Sequence, residues 1–521
     1  MSSQSVIGAG RVPRGRPVWV GVDIGTQGVR ITTIAEDGGR TTAGRAPLRS
    51  WRQPAGPNGR RHEQDPEDWW RATAQACREA AAEVDLSGVE AIAICSTSGT
   101  VLLTDERGAP LTPALMYDDD RGAPYVDRVM DAGGGLWQDL GLPMQGSWAL
   151  PKALWLLEHT PDLPARGVRL AHCADFVAAH LCGAPVAADT SHALKSGYDA
   201  LRRRWPVEVL EALSLPAAVL PTVVAPGATL GEVEADAAAA TGLPAGARIV
   251  AGMTDGCAAQ IAAGALDEGS GVSVLGTTLV LKSVTAHLVR DPQAAVYSHA
   301  HPDGGWLPGG ASNVGARVLQ AAFPGRDLAE LDARAQDHEP AGAAVYPLIE
   351  PGERFPFQRP DAHTVSVGTP GGEADRYAAL LQGVAFVERL GLAALARLGA
   401  PVTGRLALTG GATRSRYWSQ LRADVLDRPV QVPRGPEPGV GMAVLAAAGE
   451  GSITETAQRL LPPAQPIEPR PDRAARFAER FDALLDALLD RGYVDAELAE
   501  LARGRTTTRP PLSSTTPYDG A

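Results

Sequence analysis

Lysine is almost missing from this 521-residue chain: only Lys152, Lys195 and Lys282 occur, and arginine supplies nearly all the positive charge. Such a bias reflects the base composition of the coding DNA. A lysine that survives it is either there by chance or is needed as a compact point charge that a guanidinium fork cannot replace. Cysteine is sparse too. Cys77, Cys95, Cys173, Cys182 and Cys257 are scattered, with no C-x-x-C pair, which argues against a disulfide framework and a structural zinc site. No run approaches the roughly 20 apolar residues of a membrane helix, and the opening MSSQSVIGAGRVPRGRP has no apolar core of a secretory signal. The expected compartment is the cytoplasm. Long basic runs are also lacking and the net charge is −12, so neither nucleic acid nor a membrane surface is an expected partner. Any phosphate-bearing ligand must instead be held by glycine-rich backbone, helix N-termini and a metal ion.

What is present is apolar content of 44% with 21% charged residues, enough for two ordinary cores in a chain too long for one. Residues 18–39, VWVGVDIGTQGVRITTIAEDGG, read as a strand, a tight G-T-Q-G turn and a β-branched return strand. Near DPEDWWRATAQACREAAAEV a helix is expected, with Asp65 as N-cap and Pro66 at its first position. VEAIAIC then reads as a buried strand running into the polar turn STSGT. About 250 residues after the first hairpin, GSGVSVLGTTLVLKSVT (269–285) repeats its pattern. Helices and strands alternate after each copy, so the expected class is α/β with two domains. A third glycine turn, Gly410-Gly411, follows a strand ending near Leu408 and precedes a helix beginning near Ser415. The small-residue stretch from Gly441 reads as a further helix. Towards the C-terminus, Phe477, Phe481, Leu484, Leu485 and Leu488 fall on one helical face, and the polar, Pro-rich residues 504–521 are expected to be disordered.

Several side chains in these turns suit phosphoryl chemistry. Asp23 ends a strand before G-T-Q-G, where a carboxylate either binds Mg²⁺, which keeps most of its waters, or stabilises the turn. Asp255, in VAGMTDGCAAQIAAGAL, falls at the start of an Ala-rich helix. It is either an ordinary N-cap or the base that accepts an alcohol proton during phosphoryl transfer; the two phosphate-sized turns in the same chain favour the base. Thr26, Gly276 and Thr277 offer amides and hydroxyls to a triphosphate. His299 and His301 in SHAHPDG have metal-pair spacing but no matched third ligand, and a loop or core role is favoured. Glu353-Arg354 reads as a structural pair, and Trp69 and Trp70 as core.

Together GVDIGTQGVR, HEQDPEDWW, YDDDR (117–121), GMTDGCAAQIAAG, VLGTTLVLK, LTGGATRSRYWSQLRADVL and EPGVGMAVLAA resemble the FGGY family of carbohydrate kinases, in family order over about residues 18–450. The resemblance implies two actin-like, ribonuclease-H-like domains with a cleft between them: residues 17–262, carrying sugar and base, and 263–503, carrying nucleotide. It implies ATP across the cleft and an Asp base at Asp255. TSGTVLL (97–103), SHALKSGYD (191–199), VYSH (296–299), GGASNVGA (309–316) and YPLIEPGERFP (346–356) look most like the D-ribulose kinases of that family. On that basis Ser98 would hydrogen-bond a ketopentose, Asp255 its reacting hydroxyl, and Gly410 and Gly411 would lie against the nucleotide. Asp23, Gly25, Thr26 and Gln27 would line the phosphate side with Gly276 and Thr277. The turn departs from that subgroup by carrying Gln27 where it shows Ser. YDDDR keeps Asp119 and Arg121, typical of xylulose and ribulose kinases in general; Asp119 is then a sugar contact, or else half of a surface ion pair. The expected activity is ATP- and Mg²⁺-dependent phosphorylation of a ketopentose, D-ribulose first. D-xylulose, L-ribulose, a pentitol, or an actin-like ATPase or sugar sensor without transfer stand as alternatives, and a homodimer is left open.

Overall fold

A computed structural model describes residues 16–56, 59–164 and 166–504; the expected tail beyond 504 lies outside the described residues. Two large sheets organise the chain, and each opens on one of the repeated hairpins. In the first, Val18–Gly25 runs antiparallel to Gly28–Ala35, which runs antiparallel to Arg40–Pro47. On its other side Val18–Gly25 is parallel to Val89–Ser96, which is parallel to Arg248–Val250. In the second, Gly271–Leu275 pairs antiparallel with Leu279–Ser283, and that with Trp306–Ser312. Parallel to Gly271–Leu275 lies Leu406–Thr409, and then Val430–Gln431. Across the first sheet the strands run Arg40–Pro47, Gly28–Ala35, Val18–Gly25, Val89–Ser96, Arg248–Val250 and the antiparallel edge strand Thr229–Glu232. Across the second they run Val296–Ala300, Trp306–Ser312, Leu279–Ser283, Gly271–Leu275, Leu406–Thr409, Val430–Gln431 and the antiparallel edge strand Pro466–Ile467, so the second repeats the first with one strand added outside. The repetition read in the sequence is a repetition of topology.

Local signals explain the elements. Helix Pro66–Glu83 starts with Asp65 accepting from the Glu67 amide at 3.0 Å and Pro66 at its first position, and it buries Trp69 completely against Phe176. The helix after the third glycine turn spans Arg416–Leu426, capped by Ser415 Oγ accepting from the Trp418 amide at 2.9 Å. Helix Pro471–Asp490 buries the five apolar residues predicted for its face. The second unit's core is centred on Glu373–Arg397. That helix is long and apolar enough to cross a membrane by composition, yet most of its apolar stretch is covered by the rest of the protein.

One seam joins the halves. The small-residue helix starts earlier than expected, at Pro438, and spans Pro438–Ala448. It lies against the first sheet and against helix Asp255–Ala262, sharing one apolar cluster with Trp19, Ala93, Val250, Met253 and Ile261. Glycine makes this contact feasible. A Cβ on Gly21 would sit 1.8 Å from the Gly439 carbonyl oxygen, and one on Gly441 2.0 Å from that of Ala258.

Candidate active site

The three parallel strands of the first sheet end at one edge, where ligands of open α/β sheets gather. Asp23 stands two residues before the end of Val18–Gly25, paired in register with Cys95. Ser98 follows the end of Val89–Ser96, and the Arg248–Val250 strand leads through a bridge between Thr254 and Ser96 to Asp255. Asp255 is the first residue of helix Asp255–Ala262, with Thr254 at the cap position. Its Oδ1 accepts from the neighbouring Gly256 amide at 2.7 Å, so it is not the ordinary N-cap of the alternative reading.

The two carboxylates sense each other. Asp23 is 4% exposed, and burial, followed by the charge of Asp255, pushes its carboxyl up to about 6, against the pull of Arg30. Arg30 Nη1 lies 3.4 Å from Asp23 Oδ2 but is itself half exposed. Burial also raises Asp255 above the ordinary carboxylate range, opposed by the Gly256 amide, Lys282, Lys195 and His192. Lys282, Lys195 and His192 act on Asp255, whereas the cation acting on Asp23 is the half-exposed Arg30, and a divalent cation beside Asp23 fits the charge left over there.

The turn Thr26-Gln27 closes the first hairpin between Gly25 and Gly28. Gln64 Nε2 donates to the Thr26 carbonyl at 2.8 Å and Leu48 N to that of Gln27 at 3.0 Å, leaving the turn fixed and Gln27 exposed. On the second hairpin Gly276 and Thr277 line a cavity of about 470 Å³ together with Tyr377, Gly411, Ala412 and Trp418. Gly410 brackets it from the backbone: φ is +88°, and a Cβ there would meet the Leu275 carbonyl oxygen at 2.5 Å. A cavity this large, with Leu319, Leu328 and Trp418 beside Arg317, Gln320 and Asp332 and a helix N-terminus at Ser415, suits a nucleoside.

All three lysines converge here, which sequence reading left to chance. Lys152, fully buried, donates to the carbonyls of Gly99 at 2.6 Å and Met116 at 2.7 Å, and burial lowers it to about 7. Lys195 Nζ reaches the Ser98 carbonyl at 3.5 Å. Lys282, from the second sheet, ends 3.5 Å from Cys257 Sγ beside the start of the Asp255 helix. Their rarity against so much arginine was the available signal.

Two buried relays with no sequence signature support the same edge. Asp189 holds His192, whose Nε2 is 2.9 Å from Ser96 Oγ. Burial opposes charge on His192, but Asp189 outweighs it and holds the imidazole up at about 8. Asp189 also accepts from Ser191 Oγ, which accepts from the Thr254 amide at 2.8 Å, fixing the residue before Asp255. In parallel, Asp175 is 2.6 Å from His172 Nδ1, and His172 Nε2 is 2.9 Å from Ser196 Oγ.

Asp119 departs from both expectations. It is fully buried, and its oxygens accept from Arg121 Nε and Nη2 and from the Arg121 and His62 amides. Arg121, 4% exposed, also pairs with Glu63 at 2.7 Å and stacks on Trp155. The pair is interior, not on the surface, and the Asp119 carboxylate spends its lone pairs on protein donors rather than facing a ligand. Glu353 is likewise a buried hub, accepting from Ser312 Oγ, Tyr346 OH and the Asn313 and Arg354 amides; it meets Arg354 through the backbone only. His301 lies in a turn, its Nδ1 accepting from the Asp303 amide at 3.0 Å, and His299 in a strand.

Known proteins match this arrangement along nearly its whole length. The model of the FGGY family of carbohydrate kinases matches over residues 18–262 for its N-terminal domain and 258–450 for its C-terminal domain. The xylulose kinase of Streptomyces rubiginosus is 30% identical over 487 residues, 91% of this chain and 95% of that one. That of Escherichia coli strain K12 is 27% identical over 489 residues, covering 90% and 99%. The crystal structure described as a xyloylose kinase from Brucella ovis superposes with a TM-score of 0.81 at 24% identity, over 91% of this chain and all of that one. Doubled topology, paired hairpin turns and this breadth of match agree: the chain belongs to the FGGY family of carbohydrate kinases and is an ATP-dependent phosphotransferase acting on a sugar.

Proposed function

We propose that the sugar is a ketopentose phosphorylated on a primary hydroxyl, with Asp255 as the base, Asp23 as the Mg²⁺ ligand, and D-xylulose as the first acceptor to test. The observation that carries the reading is the meeting of Asp23, Ser98 and Asp255 at one sheet edge. The nucleotide would lie along Gly276, Thr277, Gly410 and Gly411, with Thr26 opposite its phosphates. Ser98 Oγ, buried without a protein partner, would accept or donate to a sugar oxygen. As the alcohol oxygen attacks the γ-phosphorus, its proton passes to an Asp255 oxygen and the bond to ADP breaks. The raised affinity of Asp255 for a proton suits this, because a carboxylate nearer neutral is the stronger base. When bound, Mg²⁺ at Asp23 would offset charge on the transferring group. Lys152 would hold the Ser98-Gly99 turn, and the Asp189–Ser191 contact the backbone before Asp255, so that the groups are placed before substrate arrives.

D-xylulose comes first because relatives aligned over nine-tenths of the chain carry the name xylulose kinase. D-ribulose is the second reading, on the TSGTVLL, SHALKSGYD and VYSH segments. The test is an ADP-release assay across D-xylulose, D-ribulose, L-ribulose and pentitols, with product mass measured. The expected result is one ketopentose phosphate made with a clear kcat/KM preference. ATP hydrolysis with no sugar phosphate formed from any of them would replace this reading by that of an ATPase or sensor.

A further inference from the structure

His299 is buried, polar and unspent. It sits on Val296–Ala300, the outermost strand of the second sheet beside Trp306–Ser312. It is 4% exposed, and neither ring nitrogen has a hydrogen-bond partner. A buried donor or acceptor left unsatisfied keeps its full cost of leaving water, and an imidazole has one of each. Such a residue in a native fold calls for an explanation.

Register shows which way it faces. Tyr297 is opposite Gly309, and Gly309 is opposite Lys282 on the next strand. Residues in a row across a sheet share a face, and Tyr297 and His299, two apart, share it as well. Gly309 keeps the row open, since a Cβ there would lie 2.6 Å from Lys282 Cγ. That face turns to the first half of the chain. Tyr297 packs edge-on to Trp148 with ring centres 5.4 Å apart, and Lys195 Nζ is 5.7 Å from the centres of both rings. The strand also packs on Thr190–Ala193, which carries His192. His299 thus looks from the second half towards Lys195, His192 and the start of the Asp255 helix. On the facing side Ser98 Oγ is equally buried and unpartnered.

Two halves of the chain therefore each present an unused hydrogen-bonding group beside Lys195, which reaches the Ser98 carbonyl on one side and the Tyr297 ring next to His299 on the other. A ligand dense in neutral hydroxyls, each both donor and acceptor, would satisfy both. We propose that His299 is a sugar-binding residue, donating from one ring nitrogen and accepting at the other, so that the acceptor is gripped by both halves of the protein. The charged and titratable groups around it are Lys282, Lys195, Asp189 and His192. Burial first, then the two lysines, keep the imidazole well below its ordinary pKa and hence neutral, the form that offers both a donor and an acceptor. Placed there it would discriminate among acceptors by the position of their hydroxyls, because a polar site rejects a ligand that leaves its groups unpaired.

The proposal rests on the placement of the sugar beside Asp255, and the test separates the two. The acceptor used is whichever sugar of the panel the wild-type enzyme turns over fastest, so a wrong choice of sugar shows in the wild-type panel and a wrong role for His299 only in the variant. His299→Leu keeps bulk and removes both nitrogens; His299→Asn keeps one donor and one acceptor. In His299→Leu the sugar KM is expected to rise about tenfold or more, with the ATP KM within about twofold and the melting temperature unchanged or higher. His299→Asn should recover part of the loss. A sugar KM within about twofold of wild type in His299→Leu would overturn the proposal. So would a joint rise of both KM values with a lowered melting temperature, which marks a packing role.

Discussion

Asp23→Asn should make the metal-free protein more stable while disabling it. In the folded chain the Asp23 carboxyl is raised from 3.8 to about 6 by burial and by Asp255. Between those pH values the native state holds a proton that the unfolded chain has released. Its contribution to stability is therefore intact below about 3.8 and is lost as pH rises through about 6. At pH 7.5 the whole cost is present, and at about 1.4 kcal/mol per pKa step it comes to about 3 kcal/mol. Asparagine is neutral and nearly isosteric, and its amide oxygen can still accept from Arg30. The variant should thus gain up to about 3 kcal/mol, or on the order of 5–10 °C in melting temperature for a unit of this size. The assay is a melting curve in EDTA at pH 7.5, 6 and 4.5, with sugar phosphorylation measured in parallel. The gap should be widest at pH 7.5 and shrink to about a third of that at pH 4.5, and activity should fall by about 10²-fold or more. A variant melting at or below wild type at pH 7.5, or a gap indifferent to acid, would refute the reasoning.

Two further outcomes are expected. Asp255→Ala should lose on the order of 10²–10⁴ in kcat with ATP affinity near normal; single-turnover kinetics and nucleotide titration check this, and near-wild-type transfer would remove Asp255 from the role. Gly441→Val, whose Cβ would lie 2.0 Å from the Ala258 carbonyl oxygen, should destabilise the seam by about 3 kcal/mol. Chemical denaturation reads that directly, and an unchanged midpoint would mean that the two helices can separate without cost.

The parts of the fold legible beforehand were those written locally. β-Branched runs around G-T-Q-G and G-T-T gave both hairpins, and Asp65 and Ser415 cap where a short polar side chain before an apolar period should. Asp23 and Asp255 stood out because each lies near the end of a readable strand, and Ser98 came from the resemblance; that the three meet at one edge came from the fold. What escaped depends on distant segments meeting. Arg121 is interior because Glu63 and Trp155 enclose it, and nothing in YDDDR carries that information. The Asp189–His192–Ser96 relay joins two strand ends and a short helix far apart in the chain. His299 lost its apparent partner His301 because the strand ends between them, at Ala300. The lysines stood out by rarity, but only the folded chain brings them to one place.

The glycine seam has a consequence for how this protein can be made and broken. Trp19, Ala93 and Ile261 from one side interlock with Val440, Met442 and Leu445 from the other, so pulling the halves apart would strip an oily strip bare on both. Neither piece would be a tidy module to clone or swap.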